Sequence, residues 1–403
     1  MLHNTRNHNA MKQKMLKREI GTLHAILLIF FLSLITGLLL LSAIKKVIAE
    51  MDNPHAIVRI QKKYNEPVPL VYVERPKPAP VSMERVKKQG CVADGLLTEY
   101  NPEHNDFIEL INRSECYYFH RAVETWLKPP DFNIIHYNMN LVEKKPAVYG
   151  MFIAEALKTN ADYYNEITHE KFDFKAMCRE GSENAWGEHS CKPNFASEEY
   201  REYIKYITRK AIDYGIQSFT FGQIYMQEGG EKNYAPEIIK EIKKYAQEKK
   251  VDIIIGAQTG NIDDEDYLAL FDYIEGGVGI NSEGELEDGP CLSDRSSCWA
   301  LLWHEKYASK AKNILLHLDW SGIKSDDLDI FARMSKSKRA KTLEDLYMFF
   351  TEKEMGFLMP FFGVLDKTNG GCYGPKKRYY SPDKKYSCDD EDAINNMLKK
   401  ADF

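Results

Sequence analysis

Short apolar runs alternate with amphipathic stretches along most of the chain. The apolar runs predict strands at residues 133–137, 147–153, 218–226, 251–257, 271–280, 313–318 and 357–364. Helical periodicity between them predicts helices at residues 197–214, 236–250, 263–270, 299–311 and 326–353. Because strands that alternate with helices pair in parallel, this order predicts an α/β fold.

Seven predicted strands, with an eighth near residues 92–97, suggest a closed (β/α)8 barrel of the TIM type. An open, doubly wound parallel sheet is the alternative. The glycine-rich turn of dinucleotide-binding sheets is missing, because the glycines at 276–279 lie within or after a strand and lack the following G-x-x-G spacing. We therefore expect no cofactor.

One long apolar segment covers residues 20–44, and its central part, 25–43, carries no charge. This length suits a membrane-spanning helix, and more Lys and Arg precede it than follow it, which places the N-terminus in the cytoplasm. A signal peptide cleaved near residues 47–49 and a buried core helix are the alternatives. We expect a cytoplasmic tail (1–19), a signal-anchor (20–44), a proline-rich stalk (45–87) and an extracytoplasmic barrel (88–403).

The charge of the chain is uneven. The net charge is −6, while the first fifty residues carry seven Lys or Arg against two Asp or Glu, so the remainder carries −11. An acidic domain repels phosphate backbones, which argues against nucleic acid as a partner. The expected partners are a glycan and, through the apolar segment, the membrane. The sequence leaves the oligomeric state open.

The eight cysteines all follow the apolar segment, as disulfides in an oxidising compartment would. They fall into four close couples: Cys91 and Cys116, Cys178 and Cys191, Cys291 and Cys298, Cys372 and Cys388. Eight cysteines allow 105 pairings, so the four local bridges are an expectation from proximity. No couple has the short spacing of a zinc site, and no paired histidines occur on a helix, so we expect no metal.

Polar residues recur where the predicted strands end, which in a barrel is the side that carries the active site. These residues are Glu155, Gln227, Glu228, Gln258, Glu275, Asp319 and Trp320. Three of the four carboxylates also have an ordinary role open to them. Asp319 suits the turn that follows it, Glu228 suits a solvated loop, and Glu155 suits a helix.

With these strand ends the chain resembles the barrel glycoside hydrolases of bacterial surfaces over roughly residues 130–370. The resemblance implies Glu228 as acid/base, Asp319 as its partner carboxylate and Glu275 as a further catalytic candidate. It implies sugar contacts from Glu155, Tyr225, Gln227, Gln258, Trp299 and Trp320. Two departures stand out, since Gln replaces Asn before Glu228 and the second carboxylate is Asp. The alternative function is a non-catalytic barrel that binds a glycan or a protein during envelope assembly.

Overall fold

The computed structural model describes residues 78–98, 106–143, 146–228, 232–287, 301–365 and 371–400. The chain divides into two compact units, Met1–Pro76 and Lys77–Phe403, and every described residue belongs to the second. The predicted tail, signal-anchor and most of the stalk lie outside the described residues. No helix within the described ranges has both the length and the apolar character needed to cross a bilayer.

The described chain follows a strand–helix order. The strands are β1 (Gly90–Ala93), β2 (Tyr118–Glu124), β3 (Val148–Ile153), β4 (Leu157–Lys158), β5 (Ser190–Cys191), β6 (Ser218–Phe221), β7 (Ile254–Ala257), β8 (Tyr273–Gly277), β9 (Ile314–His317), β10 (Gly356–Phe357), β11 (Met359–Gly363) and β12 (Tyr379–Tyr380). The helices are α1 (Met83–Lys88), α2 (Asp106–Arg113), α3 (Phe132–Leu141), α4 (Glu198–Asp213), α5 (Ile224–Gln227), α6 (Ala235–Lys249), α7 (Glu265–Leu268), α8 (Glu305–Ala308), α9 (Asp327–Arg333), α10 (Lys336–Thr351) and α11 (Glu391–Lys399).

The main sheet closes on itself through residues 356–363. Its order is β10-β9-β8-β7-β6-β3-β2-β1-β11-β12, and only the β11–β12 pair is antiparallel. Leu358 alone separates β10 from β11, so one extended segment pairs with β9 at Gly356 and with β1 at Met359. Eight parallel strands therefore form an α/β barrel. The predicted barrel is confirmed, and the open-sheet alternative is wrong.

The prediction misplaced one strand in the first half of the barrel sequence. The predicted strand at 133–137 is part of helix α3, whose first turn is capped by Asp131, because its side chain accepts hydrogen bonds from the backbone of Asn133 and Ile134. The strand that occupies this place in the barrel is β2, which the hydrophobic pattern missed. Inward-facing polar residues in β2 interrupt the apolar run that the pattern requires.

The predicted strand at 218–226 is also too long. Strand β6 ends at Phe221, and the short helix α5 follows after Gln223, which has left-handed backbone angles (φ 30°, ψ 61°). Gly222, at the start of this turn, has no room for a side chain. A Cβ atom on Gly222 would lie 2.3 Å from both Glu155 Oε2 and the Phe152 ring.

Two of the predicted disulfides are present, Cys91–Cys116 and Cys178–Cys191. Cys291 and Cys298 lie outside the described residues. The predicted bridge between Cys372 and Cys388 is wrong, because both are buried free thiols. Their side chains hydrogen-bond one another, which raises the pKa of Cys372. Close spacing in the sequence thus located the pair correctly but did not reveal its oxidation state.

We expect a double Cys91→Ala and Cys116→Ala variant to lose about 2–4 kcal/mol of unfolding free energy, since the bridge joins residues 25 apart and restricts the unfolded chain. Denaturant unfolding of the parent and the variant measures this loss. Alkylation of the denatured, unreduced parent is the control, and it should label Cys372 and Cys388 but none of the four bridged cysteines. Labelling of Cys91 or Cys116 would contradict the assignment.

Candidate functional site

A histidine and a glutamate meet inside the barrel, from strands β2 and β8. Nε2 of His120 lies 2.7 Å from Oε2 of Glu275, and neither side chain has any exposed surface. The amide of Gln258, which follows β7, donates to Oε1 of Glu275 at 3.0 Å. Oε1 of Glu275 therefore accepts a hydrogen bond from Gln258, whereas the contact of Oε2 with His120 is a close electrostatic approach that does not have hydrogen-bond geometry.

Charge keeps Glu275 ionised in spite of its burial. Burial alone raises the pKa of a carboxyl group, because the charged form loses its hydration. For Glu275 the neighbouring His120, together with the charge of Arg121, outweighs burial, so its pKa lies below the ordinary value. Burial acts in the opposite sense on His317 and lowers its pKa to about 3, so this imidazole is neutral.

A layer of hydroxyl groups lies against this pair. The Tyr118 hydroxyl contacts Nδ1 of His120 at 2.8 Å and the hydroxyls of Ser218 and Tyr273 at 3.0 and 3.1 Å. Thr220 contributes a fourth hydroxyl, 2.5 Å from that of Tyr273. These residues come from β2, β6 and β8, which are alternate strands of the ring, as in the side-chain layers of α/β barrels. Through the Tyr118 hydroxyl, this layer fixes the orientation of the His120 ring.

Glu155, two residues after β3, is the second buried carboxylate. Its Oε1 accepts a hydrogen bond from the Gln223 amide at 2.5 Å, and Tyr225 donates to the Oε1 atom of Gln223 at 3.0 Å. The backbone N–H of Gln223 donates to the side chain of Gln258, which also contacts Glu275. One hydrogen-bonded network thus joins Glu155 to Glu275.

The two carboxylates have opposite shifts in pKa. Burial raises the pKa of Glu155 to about 7, and the nearby charge of Glu275 contributes to the rise. Oε2 of Glu155 is buried and accepts no hydrogen bond from the described residues. At neutral pH the site therefore combines one carboxyl group that holds a proton about half the time with one that is ionised.

Arginine and aromatic side chains lie beside this network. Arg121 has left-handed backbone geometry (φ 56°) at a bulge in β2, and its guanidinium lies 3.6 Å from the Phe152 ring centre and 4.9 Å from that of Trp320. It pairs with Glu124 at 3.0 Å. The His317 and Trp320 rings are 4.2 Å apart. The predicted contact residue Trp320 thus lies at the site.

Glu228 and Gln227 lie outside this network. The two carboxylate oxygens of Glu228 accept the backbone N–H groups of Tyr234 and Ala235, both at 2.9 Å, where helix α6 begins. Gln227 donates to two backbone carbonyls and accepts a hydrogen bond from the Tyr200 hydroxyl at 2.6 Å. Both side chains hold the loop after β6 in place.

Asp319 belongs to an acidic turn after β9. Its backbone N–H donates to Asp327 at 3.1 Å, and its carboxylate accepts from Ser321 at 3.3 Å. Burial, together with the charge of Asp319, raises the pKa of the neighbouring Asp326 to about 8. Trp299 lies outside the described residues. The described His, Cys, Asp and Glu side chains form no group of three or more that could hold a metal ion.

The site contains residues that sequence reasoning did not assign to it, namely His120, Arg121 and Gln223. His120 lies in the strand that the hydrophobic pattern missed. The signal available for this strand was its content of aromatic and β-branched residues, Tyr118, Phe119 and Val123, which favour strands. Gln223 was hidden inside the predicted strand at 218–226.

No protein-family model and no curated protein matches the sequence. Solved structures that resemble the fold are glycoside hydrolases. The GH113 β-mannanase of Alicyclobacillus acidocaldarius is 11% identical, with a TM-score of 0.42 over 77% of this chain and 95% of its own. The α-galactosidase of Thermus thermophilus is 13% identical, with a TM-score of 0.33 over 49% of this chain and 42% of its own.

Two structures of a GH27 β-L-arabinopyranosidase from Geobacillus stearothermophilus are 14% and 11% identical, with TM-scores of 0.26 and 0.29. The matches span 37% and 48% of this chain and only 38% and 54% of the enzyme. At TM-scores below 0.5 such similarities carry no functional argument.

We expect Glu155→Gln to change how stability depends on pH. Because folding raises the pKa of Glu155 from about 4.5 to about 7, the folded state holds the proton that the unfolded state releases, and stability falls as the pH rises through this window. Relative to the parent, the variant should gain up to about 3 kcal/mol between pH 5 and pH 8. Denaturant unfolding at several pH values measures this gain, and parallel curves would contradict it.

Proposed function

We propose that this protein is a membrane-anchored, extracytoplasmic glycoside-hydrolase-like enzyme that acts on envelope or extracellular polysaccharide. Glu155 is the proton donor, and Glu275 is the ionised partner carboxylate. The observation that carries the proposal is the joining of two carboxylates with opposite pKa shifts by one hydrogen-bonded network inside the barrel. Pairs of this kind divide the roles of acid and base.

Hydrolysis of a glycosidic bond needs both groups. As the bond between the anomeric carbon and the leaving oxygen breaks, the Glu155 carboxyl gives its proton to that oxygen. Glu275 either attacks the anomeric carbon or removes a proton from the water that attacks it. His120 and Gln258 hold the Glu275 carboxylate in position, and Gln223 orients Glu155. The distance between the Glu155 and Glu275 carboxyl groups, measured across a bound sugar, decides between retention and inversion.

This pair replaces the pair that the sequence suggested. In Glu228 each oxygen already accepts a backbone N–H at the start of α6, so protonation of this carboxyl would cost those hydrogen bonds. Asp319 shares its turn with two other aspartates, and Ser321 donates to its carboxylate. On this proposal Asp319 contacts the substrate beside Trp320.

The proposed location outside the cytoplasm has two supports. The uncharged segment 25–43 has the length and flanking charges of a signal-anchor. Disulfides persist in oxidising compartments, and two of them are present in the described part of the barrel.

A non-catalytic glycan-binding barrel is the second candidate. It is favoured by the complete burial of Glu275 and His120, whose side chains have no exposed surface. On this view the network is a polar core that fixes the shape of the barrel, and the ligand binds at the rim. The two candidates make different predictions about turnover.

We expect Glu155→Gln and Glu275→Gln each to lower turnover of the parent's best polysaccharide at least about 100-fold, because each removes a group that transfers a proton or stabilises charge in the transition state. Turnover by the parent should also fall above about pH 7, as Glu155 loses its proton. Reducing-end release from a panel of polysaccharides measures both effects. Glu228→Gln is the matched control, and its main effect should be on thermal stability.

Three results would decide against this assignment. Loss of turnover in Glu228→Gln with retention in Glu155→Gln would restore the pair suggested by the sequence. Turnover that depends on Asp319 but not on Glu275 would replace the second carboxylate. Glycan binding without turnover in the parent, unchanged in both Glu155→Gln and Glu275→Gln, would favour the non-catalytic barrel.

A further inference from the structure

Two tryptophans lie together at the carboxyl end of the barrel. Trp126 follows the end of β2 by two residues, and Trp186 belongs to the long connection between β3 and α4. Their ring centres are 5.1 Å apart and their planes are tilted by 58°. Trp126 exposes 37% of its surface, although most large aromatic side chains of the described barrel are buried.

The segment that carries Trp186 is tightly held. The backbone N–H of Trp186 donates to the Ser190 hydroxyl at 2.9 Å, and that hydroxyl donates to the Gly187 carbonyl at 2.5 Å. The adjacent Cys178–Cys191 disulfide closes the same connection. Trp126 is fixed as well, because its backbone N–H donates to the carboxylate of Glu124 at 2.9 Å. These contacts fix the backbone at both tryptophans, which lowers the ordering cost of binding at this place.

A hydrogen bond joins this pair to the proposed catalytic centre. The indole N–H of Trp186 donates to the backbone carbonyl of Glu155 at 3.2 Å. Resting on the function proposed above, we propose that Trp126 and Trp186 form an aromatic platform that binds sugar units of a glycan chain beyond the unit held between Glu155 and Glu275. The substrate class is then a polymer of at least a few units.

The chemistry of the platform suits a neutral sugar. A pyranose ring has an apolar face of C–H groups, and an exposed indole offers a flat apolar surface to it. The ammonium of Lys192 lies 5.6 Å from the Trp186 ring centre. Because Lys192 approaches the Trp186 ring and Trp126 is the more exposed of the two, Trp126 is the main stacking surface. The acidic balance of residues 51–403 disfavours a polyanionic chain.

The experiment measures the affinity of the full chain for neutral oligosaccharides of one to six units from the cello-, manno- and chito-series. Titration calorimetry on Glu155→Gln prevents turnover during the measurement. We expect affinity to rise with chain length, and Trp126→Ala on this background should weaken binding of the longest oligosaccharide about five- to tenfold. Tyr137→Ala, which removes an aromatic residue of similar exposure (39%) on α3, is the matched control.

Each outcome separates the platform from hydrolysis. Loss of the chain-length effect in Trp126→Ala alone supports the platform, even if the parent shows no turnover. Equal loss in Tyr137→Ala, an unchanged chain-length effect, or no binding of any oligosaccharide by the parent overturns it, even if turnover is present. A change of oligomeric state in Trp126→Ala, with glycan binding unchanged, would show instead that the tryptophans contact a second copy of this chain.

Discussion

The contact between His120 and Glu275 is the constraint on which the centre of this barrel depends. A carboxylate removed from water loses several kcal/mol of hydration free energy unless partners replace the lost hydrogen bonds. Here the Gln258 amide donates a hydrogen bond to the carboxylate and the His120 imidazole lies 2.7 Å from its other oxygen, while a hydroxyl from the layer contacts His120 in turn. Only a closed sheet brings β2 and β8 close enough for this contact. Closure therefore makes the buried charge possible.

The same interior gives its two carboxylates different protonation. Glu275 has an imidazole at 2.7 Å and is ionised. Glu155 is as deeply buried, but its hydrogen-bond partner is the neutral amide of Gln223, so burial dominates and the proton is held more tightly. The two carboxylates thus differ because His120 and Arg121 together outweigh burial at Glu275, whereas burial dominates at Glu155. An acid and a base can thus occupy one network without a large difference in exposure.

Much of the fold was accessible from the sequence because β6, β7, β8 and β9 are apolar runs bounded by amphipathic helices. Strand β2 was not accessible, because it carries the site. Its inward positions hold Tyr118 and His120, and a bulge at Arg121 disturbs the alternation. A pattern based on hydrophobicity fails where a strand contributes polar side chains to a barrel interior. Such failures therefore concentrate at functional strands.

Carboxylates at strand ends have two alternative roles, and the predicted spacing does not distinguish them, since Glu155 and Glu228 each follow a predicted strand (147–153 and 218–226) by two residues. Glu155 follows β3 by two residues and lies inside the barrel. Glu228 follows β6 by seven residues and faces the N-terminus of α6, where two backbone N–H groups satisfy it. The difference originates at Gly222, since only a glycine there leaves room for the Glu155 carboxylate. The turn that this glycine begins carries the chain into α5, and Glu228 leaves the barrel interior with it. Because Gly222 has no side chain, the Glu155 carboxylate, and not that of Glu228, lies inside the barrel.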